Sequence, residues 1–244
     1  MTEPNKLNIV IIGMGGVGSV LLPKLARFCQ YLPGFATSIT VVDGDKYEPK
    51  NAERQVFSRF GNKAEVAVAD ALKAGFDCVT FTAVPEFLTP DNIDFVLESG
   101  AVIFLCVDNH KTRKMVDAFV SKLPDAVLMN GGNELTDGNV QVYIRSAGSD
   151  VTASLSATHP EISNPRDKAP HEMSCEELAR ASSPQLFFAN DLVSTLMCGV
   201  FYQVVQHWGH LETLIRIGEI FFDLQQMRVN PIPRPGRGEA ERSL

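Results

Sequence analysis

Long uncharged apolar stretches are missing from this chain. No window of about eighteen residues is apolar and free of charge, so no membrane-spanning helix is expected and no membrane partner. Basic charge is in deficit, with 22 Lys and Arg against 29 Asp and Glu and a net charge of −7. A polyanionic nucleic-acid partner is therefore not expected. Cysteine is sparse: Cys29, Cys78, Cys106, Cys175 and Cys198 are odd in number, scattered, and never spaced as C-x-x-C. That excludes a disulfide framework and a four-cysteine zinc site. The opening MTEPNK is polar and has no signal-peptide pattern, so a cytoplasmic location is expected. Internal repeats are absent. What is present is ordinary core material, 45% hydrophobic residues with 21% charged, enough for one large domain or one and a half.

The most informative stretch comes first. Residues 7–12 form a short apolar run rich in Ile and Val, the pattern of a strand buried on both faces of a parallel sheet. Gly13, Gly15, Gly16 and Gly18 follow at once, and a helical pattern runs from 19 to 28. Strand, glycine turn and helix in this order make a nucleotide-site candidate, with a glycine turn that binds nothing as the alternative. The turn lets backbone approach a phosphate, and the helix start offers free N–H groups and a positive dipole end. This pattern does not choose among NAD, FAD and ATP. A second strand at 38–42 ends in Asp43-Gly44-Asp45, where Rossmann-like folds hold ribose hydroxyls.

Further strands are expected at 78–84, 101–107, 125–129 and 139–145, with helices at 65–73, 92–98 and 113–123. Asp43 and Asp108 both stand at expected strand ends, the edge at which open α/β sheets bind ligands. Asn51, Arg54 and Lys63 add polar and cationic groups of the kind a triphosphate needs as pyrophosphate leaves. The strand pattern changes at Asp137-Gly138 from parallel βα units to an antiparallel addition. The expected fold is α/β: a Rossmann-like, mostly parallel sheet with helices on both faces, extended by antiparallel strands in the C-terminal part.

Three motifs in register carry a family resemblance. They are G-x-G-G-x-G at Gly13, D-x-D-x5-N-x2-R-Q from Asp43 to Gln55, and C-x-D-N-x3-R from Cys106 to Arg113. Together they resemble the ubiquitin-activating E1 superfamily, the ThiF/MoeB/HesA-type adenylyltransferases. Gly61-Asn62-Lys63-Ala64 is similar to the end of that family's G-x-x-K-A segment, one residue shorter. The GGNELTDGNVQVYIR stretch is most similar to ThiF-type proteins of PRTRC plasmid systems. The resemblance implies an ATP and Mg²⁺ site built from Gly13, Gly15, Gly16, Gly18, Asp43, Asp45, Asn51, Arg54, Gln55, Lys63, Asp108 and Asn109. It implies that Arg54 and Lys63 grip the phosphates and that Asp108 holds Mg²⁺. The implied activity is adenylation of the C-terminal carboxylate of a small ubiquitin-like protein or sulfur-carrier protein, with an E2-like protein and a homodimer as further partners.

Residues 1–145 are thus expected to form the nucleotide-binding domain. Residues 146–183, rich in Ser, Asp and Pro, are expected to form a mobile loop. That loop carries Cys175, and family members that form thioesters place the nucleophile on such a segment. Ser174 before it and Glu176-Glu177 after it read as a helix start, which lowers a thiol pKa, although the two carboxylates oppose this. A structural cysteine is the alternative. The other four cysteines fall in apolar patterns and are expected in the core. His159 and His171 flank the loop at spacings that match no closed zinc site. Residues 184–229 are expected to complete the domain with a strongly apolar helix bearing Asn190 and a strand at 218–223, and residues 230–244 to be a disordered tail. Two other functions remain open on the sequence. One is an NAD(P)-binding Rossmann oxidoreductase, which leaves Asn51, Arg54, Lys63 and Asp108 without a purpose. The other is a non-catalytic E1-like partner subunit.

Overall fold

A computed structural model describes residues 3–173, 185–214 and 217–236 of the chain. Among these, nine strands form one sheet in the order β11-β10-β8-β7-β6-β1-β2-β5, with β9 paired to β8. The strands are β1 (Asn5–Ile12), β2 (Phe35–Val42), β5 (Val79–Val84), β6 (Val102–Leu105), β7 (Ala126–Asn133), β8 (Asp137–Ser146), β9 (Ser149–Asp150), β10 (Glu219–Asp223) and β11 (Arg228–Ile232). A separate small pair joins β3 (Lys46–Tyr47) to β4 (Gly61–Asn62). Strands β5, β2, β1, β6 and β7 run parallel. Strands β8, β10 and β11 continue the sheet antiparallel. The expected α/β architecture is what the chain adopts.

Side-chain alternation divides the core in two. Leu7, Ile9 and Ile11 of β1, Val102 and Phe104 of β6, and Val127 and Met129 of β7 face one layer. Val10 and Ile12, Ile103 and Leu105, and Ala126 and Leu128 face the other. Period-2 alternation with both faces apolar is the reason these strands read as continuous apolar runs. The first layer is covered by α1 (Gly16–Gln30), α2 (Lys63–Lys73) and α7 (Phe187–Gln206). The second is covered by α3 (Ile93–Val96), α4 (His110–Val120), α5 (Leu155–Thr158) and α6 (Pro160–Ser163). Each fully buried Leu, Ile or Phe contributes about 1.5–3 kcal/mol through removal of apolar surface from water.

Helix α7 is long and apolar enough, by length and composition, to cross a bilayer. Here Ala189, Val193, Met197, Val200, Phe201 and Val204 are buried against α1 and the sheet. Its exposed flank carries Asp191, which pairs with Lys24 of α1 at 2.8 Å.

Three expectations are corrected. Residues 230–236 are not free: Asn230 to Ile232 belong to β11, Thr152 bridges to Pro235, and Ala153 N–H donates to the Arg234 carbonyl at 2.8 Å, while residues 237–244 of the expected tail lie outside the described residues. Low apolar content hid a strand held by backbone pairing. The segment after residue 146 is folded up to Met173, because Leu155 and Ile162 are buried in the second core layer. The buried Asp117 carboxylate of α4 accepts the Leu155 and Ser156 N–H groups at 2.9 and 3.0 Å, fixing α5 in place. Cys78 lies just before β5 and is exposed, so it is not a core residue.

Candidate active site

The glycine turn links β1 to α1 at the carboxyl edge of the parallel strands. Gly13 takes φ +93, a left-handed conformation that a side chain would strain, and a Cβ there would lie 2.9 Å from the Cys106 carbonyl. Gly18 lies inside the first helical turn, where a Cβ would meet the Gly13 carbonyl oxygen at 2.0 Å. Gly15 has open space around it. Helix α1 begins at Gly16, earlier than the apolar pattern suggested, and no side chain caps its N-terminus. The first N–H groups of a helix have no intrahelical partner, an arrangement able to receive an anion.

Asp43, at the end of β2, organises this turn. Its Oδ2 accepts the Met14 N–H at 2.6 Å and its Oδ1 accepts the Asp45 N–H at 2.8 Å. Burial pushes the Asp43 carboxyl above the usual carboxylate range, and the nearby Lys63 cation and these two N–H groups oppose that. Tyr47 donates its hydroxyl to the Met14 carbonyl at 3.2 Å, tying β3 to the same turn.

Lys63 is the first residue of α2, with Asn62 as the N-cap. A cation at a helix N-terminus opposes the dipole and needs a compensating anion. Asp45 supplies it: Lys63 Nζ lies 2.6 Å from Asp45 Oδ2, and the lysine side chain is only 8% exposed. The ammonium also stands 5.9 Å from the centre of the Tyr47 ring. In this structure Lys63 and Asp45 therefore neutralise one another beside Asp43.

The segment between these elements crosses above α1. Asn51 is buried, and its Oδ1 accepts the Glu48 N–H at 2.8 Å in a reciprocal cap of a 3₁₀ turn. Gln55 is buried with an Oε1 that has no partner among the described residues. The next residue, Val56, donates its N–H to Ser19 Oγ of α1 at 3.1 Å. Arg54, two residues before this anchor, is half-buried, and its guanidinium donates to Gln185 Oε1 at 3.3 Å.

The end of β6 completes the ring. Asp108 follows the strand and is exposed, available to solvent or ligand. Asn109 is buried and caps α4 through Oδ1, which accepts the Thr112 N–H at 2.8 Å. Among the described residues no group of three or more His, Cys, Asp or Glu has the makings of a protein-only metal site. One exposed carboxylate suits Mg²⁺ all the same, because that ion is commonly held by one or two carboxylates together with substrate phosphates.

The structure thus gathers the glycine turn with Asp43, Asp45 and Lys63, anchors the segment carrying Asn51, Arg54 and Gln55 to α1 through Val56 and Ser19, and sets Asp108 and Asn109 just beyond the end of the neighbouring strand β6. Cys175 lies outside the described residues. Of the other thiols, burial pushes Cys29 up to about 12 and Cys198 to about 11, and Cys106 higher still, which disfavours the nucleophilic thiolate in all three. His159 is not a free metal ligand: its ring nitrogens contact Glu161 and Glu219, each at 2.8 Å.

Sequence reasoning gave no ligand role to Asn190, which is fully buried. Neither of its amide atoms has a partner among the described residues, and a Cβ on Gly16 would stand 2.3 Å from its Nδ2. The resemblance to the family places a polar residue of this helix under the site, and the structure sets Asn190 against Gly16. His110, Arg113 and Asp167 were likewise unassigned, although C-x-D-N-x3-R contains the arginine.

Known proteins resemble this chain in sequence and in fold. The Escherichia coli (strain K12) tRNA threonylcarbamoyladenosine dehydratase is 28% identical over 142 residues, covering 55% of this chain and 50% of that protein. The NEDD8-activating enzyme E1 catalytic subunit of Schizosaccharomyces pombe is 30% identical over 169 residues, covering 64% of this chain and 35% of that one. The chain therefore spans half or less of these curated relatives. Among solved structures, E. coli MccB with ATP superimposes with a TM-score of 0.68 at 17% identity, covering 94% of this chain and 63% of MccB. MccB in complex with N-formylated MccA gives 0.71 at 16%, covering 94% and 65%. At that identity the match speaks for the fold. The ThiF family model matches residues 3–235, nearly the whole span described above, and the chain belongs to the ThiF family.

Proposed function

We propose that this protein is an ATP-dependent adenylyltransferase that activates the C-terminal carboxylate of a small ubiquitin-like protein, sulfur carrier or peptide. The observation that carries this is the ring of groups at the ends of β1, β2 and β6, with the uncapped N-terminus of α1 at its centre. Support comes from relatives and neighbours: one is named a NEDD8-activating E1 subunit, and MccB has been solved with ATP and with MccA. A dinucleotide oxidoreductase needs no cations at the turn, and the ThiF match takes the chain away from that reading.

The chain's own groups divide the work. The α1 N–H groups and the Arg54 guanidinium receive phosphate oxygens. Asp43 shapes the turn and faces the ribose side. Lys63, paired with Asp45, offers its ammonium to phosphate oxygens. Asp108 would hold Mg²⁺, which would supply charge neutralisation on the phosphates. The acceptor carboxylate attacks the α-phosphorus. The bond to the bridging oxygen breaks, and pyrophosphate leaves with the electron pair. Acyl-adenylate remains, and no protein base is required because the nucleophile is already ionised.

Further assignments belong to the same proposal. Cys175 then attacks the acyl carbonyl as thiolate, releasing AMP and forming a thioester. An E2-like protein is the receiver of that thioester, and the working unit is a homodimer in the cytoplasm. The place among PRTRC-type ThiF proteins rests on the GGNELTDGNVQVYIR stretch.

ATP–pyrophosphate exchange tests the core of this. Exchange should depend on an acceptor with a free C-terminal carboxylate. It should fall at least about a hundredfold in Asp108→Ala, the scale of one electrostatic stabiliser. ATP binding without exchange for any small ubiquitin-like acceptor would favour a non-catalytic partner subunit. In Cys175→Ala, exchange should persist while thioester formation disappears; equal loss of both would remove Cys175 from the scheme.

A further inference from the structure

The sheet ends in two edges that are built differently. At one end stands β11, whose RVNPI sequence carries a charge at Arg228 and a proline at Pro231. Charge and proline are the usual means by which an edge strand is kept from pairing with other chains. At the other end stands β5, VTFTAV, with no charge, no proline and no break in its register with β2. Thr80 and Thr82 are exposed, and Phe81, Ala83 and Val84 are half-buried.

The hydrogen bonds of β5 fix which of its backbone groups point outward. The Val84 carbonyl accepts the Asp43 N–H at 3.2 Å, so residue 84 turns its backbone groups toward β2. Alternation along the strand turns Thr80 and Thr82 the same way and leaves Val79, Phe81 and Ala83 facing outward. The Val79 N–H is taken by the Phe76 carbonyl at 3.2 Å. The N–H and C=O groups of Phe81 and Ala83 have no backbone partner among the described residues.

These open groups fit a second copy of the same strand, run antiparallel about a two-fold axis at Thr82. In that register Phe81 of each copy stands opposite Ala83 of the other, and each such pair exchanges both of its hydrogen bonds. A large side chain then meets a small one, on the face of β5 that packs toward the first core layer. Val79, whose N–H is taken, meets Pro85, which has none, so the pairing ends there. Thr82 stands opposite its own copy, as a pair that exchanges no hydrogen bonds and brings its side chains close. The strand carries no charge, so self-pairing brings no like charges together within it. An unrelated extended chain offers the same backbone groups, but a second copy in this register supplies the Phe81–Ala83 match on both sides of the axis.

We propose that β5 is a self-pairing edge, and that its partner is a second copy of this chain joined by antiparallel β5–β5 pairing centred on Thr82. The surface does not depend on the adenylation reading, since Thr82 is not among the site groups.

Sedimentation analysis of the full chain over a rising concentration series tests this, with Thr82→Lys and Thr82→Glu as variants. The Thr82 side chain is exposed, so both variants should melt close to wild type by calorimetry. The wild-type protein should associate as concentration rises. Each variant alone sets like charges directly opposite one another across the axis and should stay at half the wild-type mass. An equimolar mixture of the two should regain the wild-type mass at low salt, because lysine then faces glutamate, and lose it as salt is raised. A wild-type protein that stays monomeric at every concentration would overturn the proposal. So would single variants that keep the wild-type mass, or a mixture that fails to associate.

Discussion

Two polar regions of this molecule contrast. One is the site edge at the ends of β1, β2, β6 and β7. The other is the cluster around Glu219 in the antiparallel extension. Glu219 is 1% exposed and satisfied on all sides: His159 Nε2 at 2.8 Å, Asn139 Nδ2 at 2.8 Å, and Arg234 at 3.0 and 3.1 Å. At the site edge, Gln55 Oε1, Asn109 Nδ2, Asn190, Arg113 Nε and Asp167 Oδ1 have no partner among the described residues. Both regions bury charge and amide groups in one domain. A closed network serves the fold, because every group removed from water has regained its bonds. An open one is a cost that a ligand offsets. The same residue types therefore mean different things, and partner accounting separates them.

The comparison can be broken most severely at the turn itself. In Gly18→Ala the new methyl would overlap the Gly13 carbonyl, and backbone cannot move aside cheaply. Loss of about 3 kcal/mol or more is expected, with ATP binding abolished. Gly15→Ala is the matched control, with nothing within 4 Å of its Cβ. It should melt within a few degrees of wild type and still bind ATP more weakly, since the methyl meets the phosphate. Calorimetric melting together with ATP titration distinguishes the two.

Next in size is Glu219→Ala. It leaves His159 and Arg234 without their shared anion and should cost about 3 kcal/mol, the usual scale for breaking a buried ion pair. Urea denaturation measures it. A loss below about 1 kcal/mol would contradict the closed-network view.

The pH dependence is a milder probe of the same cluster. Hydrogen bonding to Glu219 raises the His159 pKa above its ordinary value of about 6.5, although burial opposes the shift. Its contribution is therefore complete below about pH 6.5 and is lost as pH rises through the elevated folded value. Burial pushes Glu219 up, but hydrogen bonds from His159 and Asn139 outweigh it and hold the carboxyl below the usual range. That contribution is present above about pH 4.3 and is lost as pH falls through the depressed folded value. Denaturation midpoints against pH should show a plateau between these limits and a decline above it, and His159→Gln should flatten the alkaline decline.

The smallest effect concerns Lys24, which links α1 to α7 through Asp191, Ser194 and Thr195 at 2.8, 2.6 and 2.9 Å. It is one-third exposed, so Lys24→Ala should cost only about 0.5–1 kcal/mol by urea denaturation, with no change in ATP affinity.

Much of the fold was legible in one dimension because its signals are local. The apolar run before Gly13, the β-rich runs ending at Val42 and Val84, and the Asp137-Gly138 turn each carry their own periodicity or turn chemistry. Glycine spacing alone marked the tight turn after β1, since glycine readily accepts the φ of Gly13 and the closeness of Gly18 to the Gly13 carbonyl. Less legible were elements that exist through their neighbours. The strand β11 reads as a polar, Pro-containing tail, and backbone pairing to β10 is what orders it. Helices α5 and α6 are four residues each, too short for a periodic signal, and depend on Leu155, Ile162 and the Asp117 carboxylate.

The sequence by itself determined the sheet's parallel half, the glycine turn and the set of polar residues gathered at its edge, because these follow from spacing and backbone sterics. Only the tertiary structure decided which of those polar atoms are already taken. Lys63 is bound to Asp45, Glu219 is closed by His159 and Arg234, and Arg113 and Asp167 keep open valences at the ends of β6 and β7. The reason is physical: hydrogen bonding is directional and short-ranged, so a side chain's role depends on partners within about 3 Å, which residues far apart in sequence supply only after the chain has folded.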